Sequence, residues 1–348
     1  MGERNHKFMS NLFKKAVVFT DIHFGRRNND KQHNDDCAAF IDFVIETIKE
    51  EQADTLIFTG DWHDNRNTIQ VSTLNYTVKC LKKLNEVGIP FYFIPGNHDL
   101  FYKEKRDVTS VIMADEYSNI TLIDDILYKD QVTFFPWIIK DDWKKVRKFS
   151  KKSEYIFGHF EVPTFLMNAS SEMPNHNQIQ IEDFNEVGEW AFSGHFHKRQ
   201  AKGKVCYLGN TFPFDFNDNW DDDRGVMILE WKKEPVFKKW PKAPKFRTLN
   251  LSDLLEDLDS YVDDLTTIKV TQDIELNYEE MILIKDVIQF HYNPRKFEFK
   301  KHQIEAEEVK STIKFQSIDQ IVTDSLDLID STTIDKNKLK KIYEELSL

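Results

Sequence analysis

"FIPGNHDL", residues 93–100, poses the problem that decides the fold. The apolar run Phe91-Tyr92-Phe93-Ile94 reads as a buried strand, and Pro95-Gly96 ends it with turn punctuation. Asn97, His98 and Asp99 follow. Turns favour Asn and Asp for backbone reasons, but that does not account for the imidazole. Other strands end in the same way. "AVVFTDIH" delivers Asp21 and His23, "TLIFTGDWHD" Asp61 and Asp64, "YIFGHF" His159, and "WAFSGHFH" His195 and His197. Glycine stands just before most of these sets, where a tight turn or close backbone approach is expected. Ligands of layered α/β sheets bind beyond the carboxyl ends of strands, so these distant residues can converge on one site.

The chain has 348 residues, enough for two or three domains and a sizeable core. Charged residues make up 30% and the formal net charge is −12, the composition of a soluble globular protein. No apolar run approaches the ~20 residues of a membrane helix, and the N-terminal stretch lacks a signal-peptide pattern. Three scattered cysteines, Cys37, Cys80 and Cys206, fit a reducing cytoplasm better than a disulfide framework.

Helical periodicity places Phe40, Ile41, Val44 and Ile48 on one buried face between the first two motif strands. Leu74, Val78, Leu81 and Leu84 form another before the third, with Gly88 as its C-cap. This is a βαβαβ start with parallel strands. From 120 to 237 the strands crowd together and read as a second, β-rich half, so the expected α/β architecture is a β-sandwich flanked by helices. A Pro/Lys cluster at 232–246 looks like a domain exit. "TTIKVTQ", "YEEMILIKDVIQF" and "KFEFK" then make a small β-α-β unit, and two amphipathic helical patterns close the chain. The expected division is 1–245 for the main domain, 246–302 for a small α/β capping domain, 303–317 for a linker and 318–348 for a helix-loop-helix.

The chemistry follows from the donor types. Asp21, His23, Asp61, Asn97, His159, His195 and His197 offer oxygen and imidazole nitrogen without thiolate, a set suited to Mn²⁺, Fe²⁺, Zn²⁺ or Ni²⁺. They are too many for one tetrahedral ion and suit two ions sharing a bridging carboxylate. Two metals roughly 3.5–4 Å apart can activate water and clamp a phosphate for in-line displacement. His98 is the spare imidazole beside Asn97 and the candidate general acid, and Asp64 is the carboxylate expected to orient it.

The ordered set DxH, GDxxD, GNHD, GH and GHxH resembles the calcineurin-like binuclear metallophosphoesterases. Within them, GNHD, the late GHFH, "YLGNTFP" and "DDDRGVMILEW" resemble the SbcD-type DNA double-strand-break nucleases, and the small domain and two-helix tail are similar to their phage branch. The resemblance implies one metal held by Asp21, His23, Asp61 and His197, a second held by Asp61, Asn97, His159 and His195, and Asp61 bridging. It implies two divalent ions, Mn²⁺ foremost, and hydrolysis of DNA ends and single strands by exonuclease and endonuclease action. It also implies C-terminal helices that bind an SMC-like coiled-coil ATPase of SbcC type. Two nuclease chains, as a homodimer, would join two ATPase chains in recombination and double-strand-break repair. The setting would be cytoplasmic, the host cytoplasm if the chain is phage-encoded, with no membrane. "GDWHDNR" carries Asn65 where Ser/Thr phosphatases carry Arg, which separates the chain from that branch.

Plainer readings stand beside these. A single Asp after a strand is by default a turn or cap residue. His63 reads as structural, and His33, His176, His291 and His302 as surface or loop residues. Trp137, Trp143 and Trp190 read as core or sheet-edge aromatics. The basic runs at 144–152 and 232–245 are solvated faces unless they meet DNA. Two other functions fit the same motifs: a small-molecule or protein phosphoesterase, and a non-catalytic scaffold. The scaffold would need a degraded site, and no ligand position is missing here.

Overall fold

The computed structural model describes residues 10–167, 171–175, 178–300, 336–338 and 340–341. Residues 1–301 form one compact unit and 302–348 another. The linker expected at 303–317, the tail positions Ile318, Ile321, Val322, Leu326 and Ile329, and His176 and His302 lie outside the described residues.

Twelve strands build the main body: β1 (Lys15–Phe19), β2 (Thr55–Phe58), β3 (Phe91–Phe93), β4 (Ile120–Leu122), β5 (Leu127–Lys129), β6 (Val132–Phe134), β7 (Tyr155–His159), β8 (Trp190–Gly194), β9 (Gln200–Lys202), β10 (Val205–Tyr207), β11 (Gly225–Glu230) and β12 (Val236–Lys239). They form two six-stranded sheets, ordered β12-β11-β1-β2-β3-β4 and β5-β6-β7-β8-β10-β9. β1 to β4 run parallel, as do β6, β7, β8 and β10.

Period-two alternation explains the sandwich. Ala16, Val18, Ile57 and Tyr92 from the first sheet meet Phe134, Tyr155, Phe157 and Phe192 from the second in one buried cluster. Their neighbours Val17, Phe19, Leu56, Phe58, Phe91 and Phe93 face the other way, onto the helices Lys31–Glu51 and Val71–Val87. The second sheet's outer face, with Ile156, Ala191, Val205 and Tyr207, is covered partly by the helix Trp143–Ser150. The expected β-rich half is thus not a separate body. β4 stays in the first sheet, and β11 and β12 return to it, β11 pairing antiparallel with β1. Val226 and Met227 of β11 are both buried on opposite faces, which requires a place in a sheet covered on both sides.

The helix Lys31–Glu51 buries Phe40, Ile41, Val44 and Ile48 as its periodicity predicts. The helix Val71–Val87 does not follow the expected face. Leu81 and Leu84 are buried, but Leu74 and Val78 are exposed, and Thr73, Thr77 and Cys80 take the inner positions. The reason is polar: Thr77 Oγ1 meets His63 Nε2 at 2.8 Å and Trp62 Nε1 at 3.2 Å, which rotates the helix toward its hydroxyls. Gly88 caps this helix with φ 77°.

The small unit has one strand more than expected. β13 (Lys245–Asn250), β14 (Thr266–Thr271) and β15 (Lys296–Lys300) form a parallel sheet, with the helix Tyr278–Tyr292 crossing between β14 and β15. Arg295 ties it to Asp36 of the main body at 2.5 Å, and Arg247 forms an ion pair with Asp222.

Candidate metal centre

The ends of β1, β2, β3, β7 and β8 converge. Asp21, His23, Asp61 and His159 are almost completely buried. Four of the converging residues hold left-handed backbone: Asp21 (φ 48°), His23 (φ 52°), Asp61 (φ 62°) and His195 (φ 86°). Each such residue costs on the order of 1–3 kcal/mol, and strain of this kind collects at functional sites. The flanking glycines have a steric cause. A Cβ on Gly96 would strike the Asp61 carboxylate, and one on Gly60 (φ 111°) would strike the His159 ring.

Three groups of candidate donors result; His23, Asp64 and His98 make one at the edge, and the other two hold the expected ligands. In the first of these two, His23 Nε2 faces His197 Nε2 at 3.2 Å, and Asp21 Oδ1 lies 3.7 Å from each. In the second, Asn97 Oδ1 lies 3.1 Å from His159 Nε2 and 3.0 Å from His195 Nδ1. Asp61 Oδ2 stands between the groups, 3.3 Å from His159 Nε2 and 3.8 Å from His23 Nε2. The far ring nitrogens are anchored. His159 Nδ1 donates to Thr59 O at 2.7 Å, and His195 Nε2 meets Glu161 Oε1 at 3.1 Å, which fixes the tautomers that point the other nitrogens inward.

The electrostatics agree. Burial opposes ionisation of Asp61, yet His159, His23 and His98 hold its carboxyl well below the usual range. Burial likewise opposes a charge on His23 and His159, but the surrounding carboxylates push their pKa values up to about 10 and about 9. His197, partly exposed, is pushed down to about 3 by desolvation of its ring and by the neighbouring His23. The carboxylates that hold protons on His23 and His159 would equally attract divalent cations, which would displace those protons, and the inward-facing donors fit two such ions.

His98 lies at the edge of this cluster. Its main-chain N–H donates to Asp61 Oδ1 at 2.9 Å, and its ring Nδ1 meets the Asp64 main-chain carbonyl at 2.6 Å. The orienting contact expected from the Asp64 carboxylate is therefore made by the Asp64 backbone. The carboxylate itself lies 3.1 Å from Arg26 Nη1 and 3.3 Å from His23 Nδ1. Burial works against its charge, but His23 and Arg26 prevail and its pKa falls to about 2.

Residues 14–199 match the calcineurin-like phosphoesterase family model. The chain belongs to this family. Its relatives narrow the branch. The phosphoesterase is 37% identical over 271 residues to the SbcD component of nuclease SbcCD from Staphylococcus saprophyticus, covering 68% of this chain and 71% of that one. It is 25% identical over 333 residues to the DNA double-strand break repair protein Mre11 of Methanococcus maripaludis, covering 78% and 87%. It is 25% identical over 227 residues to exonuclease subunit 1 of Enterobacteria phage T4, covering 63% of this chain and 66% of that one. This family uses a dinuclear metal site, and the phosphoesterase has the residues to hold one.

Several supporting residues escape sequence inspection. Glu161 acts from a loop and Arg26 from the first position of the short helical turn Arg26–Asn29, neither within a motif. Trp137 is not a core aromatic: its ring centroid lies 5.2 Å from that of His195 and 5.8 Å from that of His159, and Arg106 donates to its carbonyl at 2.7 Å. Trp143 and Trp190 do pack against hydrophobic clusters. His33, expected at the surface, is buried, and its Nε2 meets the His23 carbonyl at 2.9 Å, steadying that strained residue. His291 is exposed and His63 is a buried structural residue, bonded to Ser110 and Thr77.

Asp99, the last letter of GNHD, is fully buried and accepts main-chain N–H bonds from Trp62 (3.0 Å), His63 (2.9 Å) and Gly96 (3.0 Å). It staples the two ligand-bearing loops together. Burial and the nearby Asp61 raise its pKa to about 6. Asp99→Ala would strand three buried donors, each at a cost of roughly 1–3 kcal/mol. The expected loss in urea unfolding is therefore at least about 3 kcal/mol; an unchanged midpoint would show that the loops are held by other contacts.

Proposed function

We propose that this phosphoesterase is the Mn²⁺-dependent nuclease subunit of an SMC-like ATPase–nuclease complex, hydrolysing phosphodiesters at DNA ends and in single strands. The observation that carries this reading is the position of Asp61 Oδ2 between two donor groups, with His98 beside them. Asp21, His23, Asp61 and His197 would hold one ion, and Asp61, Asn97, His159 and His195 the other. Ions held there would supply a nucleophilic water near neutral pH and draw charge from the phosphate. His98, fixed through Nδ1 by the Asp64 carbonyl, presents Nε2 for proton transfer to the leaving oxygen. Asp64 accepts a hydrogen bond from Arg26 and sets its charge 3.3 Å from His23 Nδ1. The names of the relatives, an exonuclease subunit, a DNA double-strand break repair protein and a nuclease subunit, support DNA as substrate and a role in break repair; recombination and a cytoplasmic setting complete the proposal.

Part of each basic run is already paired with carboxylates. Lys144, Lys145, Arg147 and Lys151 are matched to Asp141, Asp142, Asp183 and Glu186, and Lys232, Lys233, Lys238 and Lys245 to other carboxylates. An exposed apolar surface supports the homodimer. Val71, Leu74, Val78, Val108 and Ile112 are exposed, and Tyr117 Oη bonded to Val78 O brings the 112–116 turn beside the helix Val71–Val87. Among the described residues no helix is long and apolar enough to cross a membrane. Residues 246–302 would cap DNA, and residues 318–348, joined by a linker at 303–317, would dock on the coiled coil of the ATPase.

A DNA degradation assay with Mn²⁺ against Mg²⁺, run beside an aryl phosphate control, tests the activity. Turnover of the aryl phosphate without DNA cleavage, with the ATPase also present, would transfer the assignment to a small-molecule phosphoesterase. Deleting 318–348 is expected to spare basal Mn²⁺-dependent cleavage of single strands and to abolish co-purification with the ATPase. A truncated chain that still captures the ATPase at full affinity would move the partner site elsewhere.

A further inference from the structure

The two groups that hold the expected ligands are not gripped alike. In the second, both rings are anchored from behind. His159 Nδ1 donates to Thr59 O at 2.7 Å. His195 Nε2 donates to Glu161 Oε1 at 3.1 Å, so Nδ1 keeps its lone pair for the site. Glu161 is itself held in place. Tyr207 Oη, on a fully buried ring, donates to Phe160 O and accepts from Val162 N, both at 3.0 Å, which clamps the chain on either side of Glu161. Trp137 packs against the same two imidazoles, its ring centroid 5.2 Å from that of His195 and 5.8 Å from that of His159. Its main chain is fixed in turn by Arg106, which donates to the Trp137 carbonyl and pairs with Asp142. In the first group Asp21 is well held, accepting from the Thr20 hydroxyl at 2.6 Å, but the imidazoles are not. His23 Nδ1 is buried and makes no hydrogen bond among the described residues; Asp64 Oδ1, 3.3 Å away, supplies charge without hydrogen-bonding geometry. The His197 side chain is 30% exposed and lines a cavity of about 250 Å³, and its Nδ1 has no hydrogen bond among the described residues.

We infer that the two ions are held unequally: the second group takes the tightly held ion, with Glu161 and Trp137 as its positioning residues, and the first group takes an exchangeable ion that enters and leaves beside His197. The inference rests on the two-ion reading and deepens it. A ring fixed before an ion arrives loses little freedom when the ion binds. A carboxylate behind a ligating imidazole also raises its basicity, and partners of this kind are worth roughly 10–100-fold in metal affinity. The second group has both advantages and the first has neither in full. Trp137 adds a wall that holds the His195 and His159 rings against rotation. The chain is therefore half-loaded at limiting metal, and hydrolysis follows the filling of the first group.

The test titrates Mn²⁺ into the full, metal-free chain. Free Mn²⁺ is counted by electron paramagnetic resonance. Tryptophan emission is read alongside, because a paramagnetic ion quenches an indole packed on its ligands. Wild type is expected to bind two ions with dissociation constants at least about tenfold apart, the worth of ~1.4 kcal/mol. The quench should be complete with the first ion and absent from Trp137→Phe, while DNA cleavage should rise only with the second. Glu161→Gln keeps the size of the side chain and removes its charge. It should weaken the tight step roughly 10–100-fold and leave the loose step within about twofold, and Glu161→Asp should restore part of the loss. Near-UV circular dichroism of each variant separates these effects from damage to the fold. Equal constants in wild type, a quench that follows the second ion, or a folded Glu161→Gln chain that binds both ions as wild type does would each overturn the inference. A wild-type chain that binds fewer than two ions would sink the two-ion reading with it. Two ions bound in the expected order without DNA cleavage would sink the nuclease reading alone and leave the order of filling standing.

Discussion

Asp61→Ala is expected to leave a chain that retains neither ion and hydrolyses no phosphodiester above background. The carboxylate faces both donor sets, 3.3 Å from His159 Nε2 and 3.8 Å from His23 Nε2, and its other oxygen holds the His98 main chain at 2.9 Å. Removing it takes away charge, bridge and loop anchor together. The fall should exceed the ~10²–10³-fold that follows loss of a single electrostatic donor. Alanine is also poorly suited to φ 62°, so Asp61→Asn is the companion variant. Asparagine tolerates left-handed backbone and keeps one carbonyl oxygen, which separates loss of the metals from loss of the fold. Metal content by mass spectrometry, beside circular dichroism, decides the matter: two ions per chain in folded Asp61→Asn at ordinary metal concentration would remove Asp61 from the bridging role. His195→Ala offers a graded contrast. It removes a donor from the second group alone, so one ion should weaken and excess Mn²⁺ should restore part of the rate.

The convergence of the candidate ligands was legible because each of them follows an apolar strand, and parallel strands bring their carboxyl ends to one edge whatever the loops do. Period-two burial was legible for the same reason, since Ala16, Val18 and Ile57 must share a face. The partition of strands between sheets was not. β11 could have extended the second sheet by hydrophobicity alone, and what draws it to β1 is a pairing between residues some 200 positions apart, which carries no local signal. The helix Val71–Val87 misled for a different reason. Its leucines and valine do form a stripe, but two threonines with buried partners compete for the inner face, and satisfying His63 and Trp62 outweighed burying Leu74 and Val78. Glu161 and Arg26 were invisible because second-layer residues need only a reachable side chain, not a spacing. His33 escaped because a polar residue on an amphipathic helix is read as solvent-facing unless its partner, here the His23 carbonyl, is known.

His98→Ala should separate binding from chemistry. Asn97 Oδ1, not His98, lies among the inward-facing nitrogens of His159 and His195, so the variant should keep both ions and its affinity for DNA. What it loses is the ring held by the Asp64 carbonyl at 2.6 Å, with the other nitrogen available to the leaving oxygen. Loss of a general acid typically costs roughly 10²–10⁴-fold in rate, and that loss is expected in kcat with little change in KM. Asp64→Asn probes the same contact from the other side. The main-chain carbonyl survives that substitution, so the acid stays oriented. The damage should pass instead through His23, whose Nδ1 lies 3.3 Å from the Asp64 carboxylate. Partners of this kind are worth roughly 10–100-fold in metal affinity, so saturating Mn²⁺ should recover Asp64→Asn but leave His98→Ala slow. Single-turnover cleavage of a defined strand across a Mn²⁺ titration distinguishes the two. If both variants recover with added metal, His98 belongs to the metal centre's support and the proton donor is another group. If only Asp64→Asn recovers, the proton transfer rests on His98.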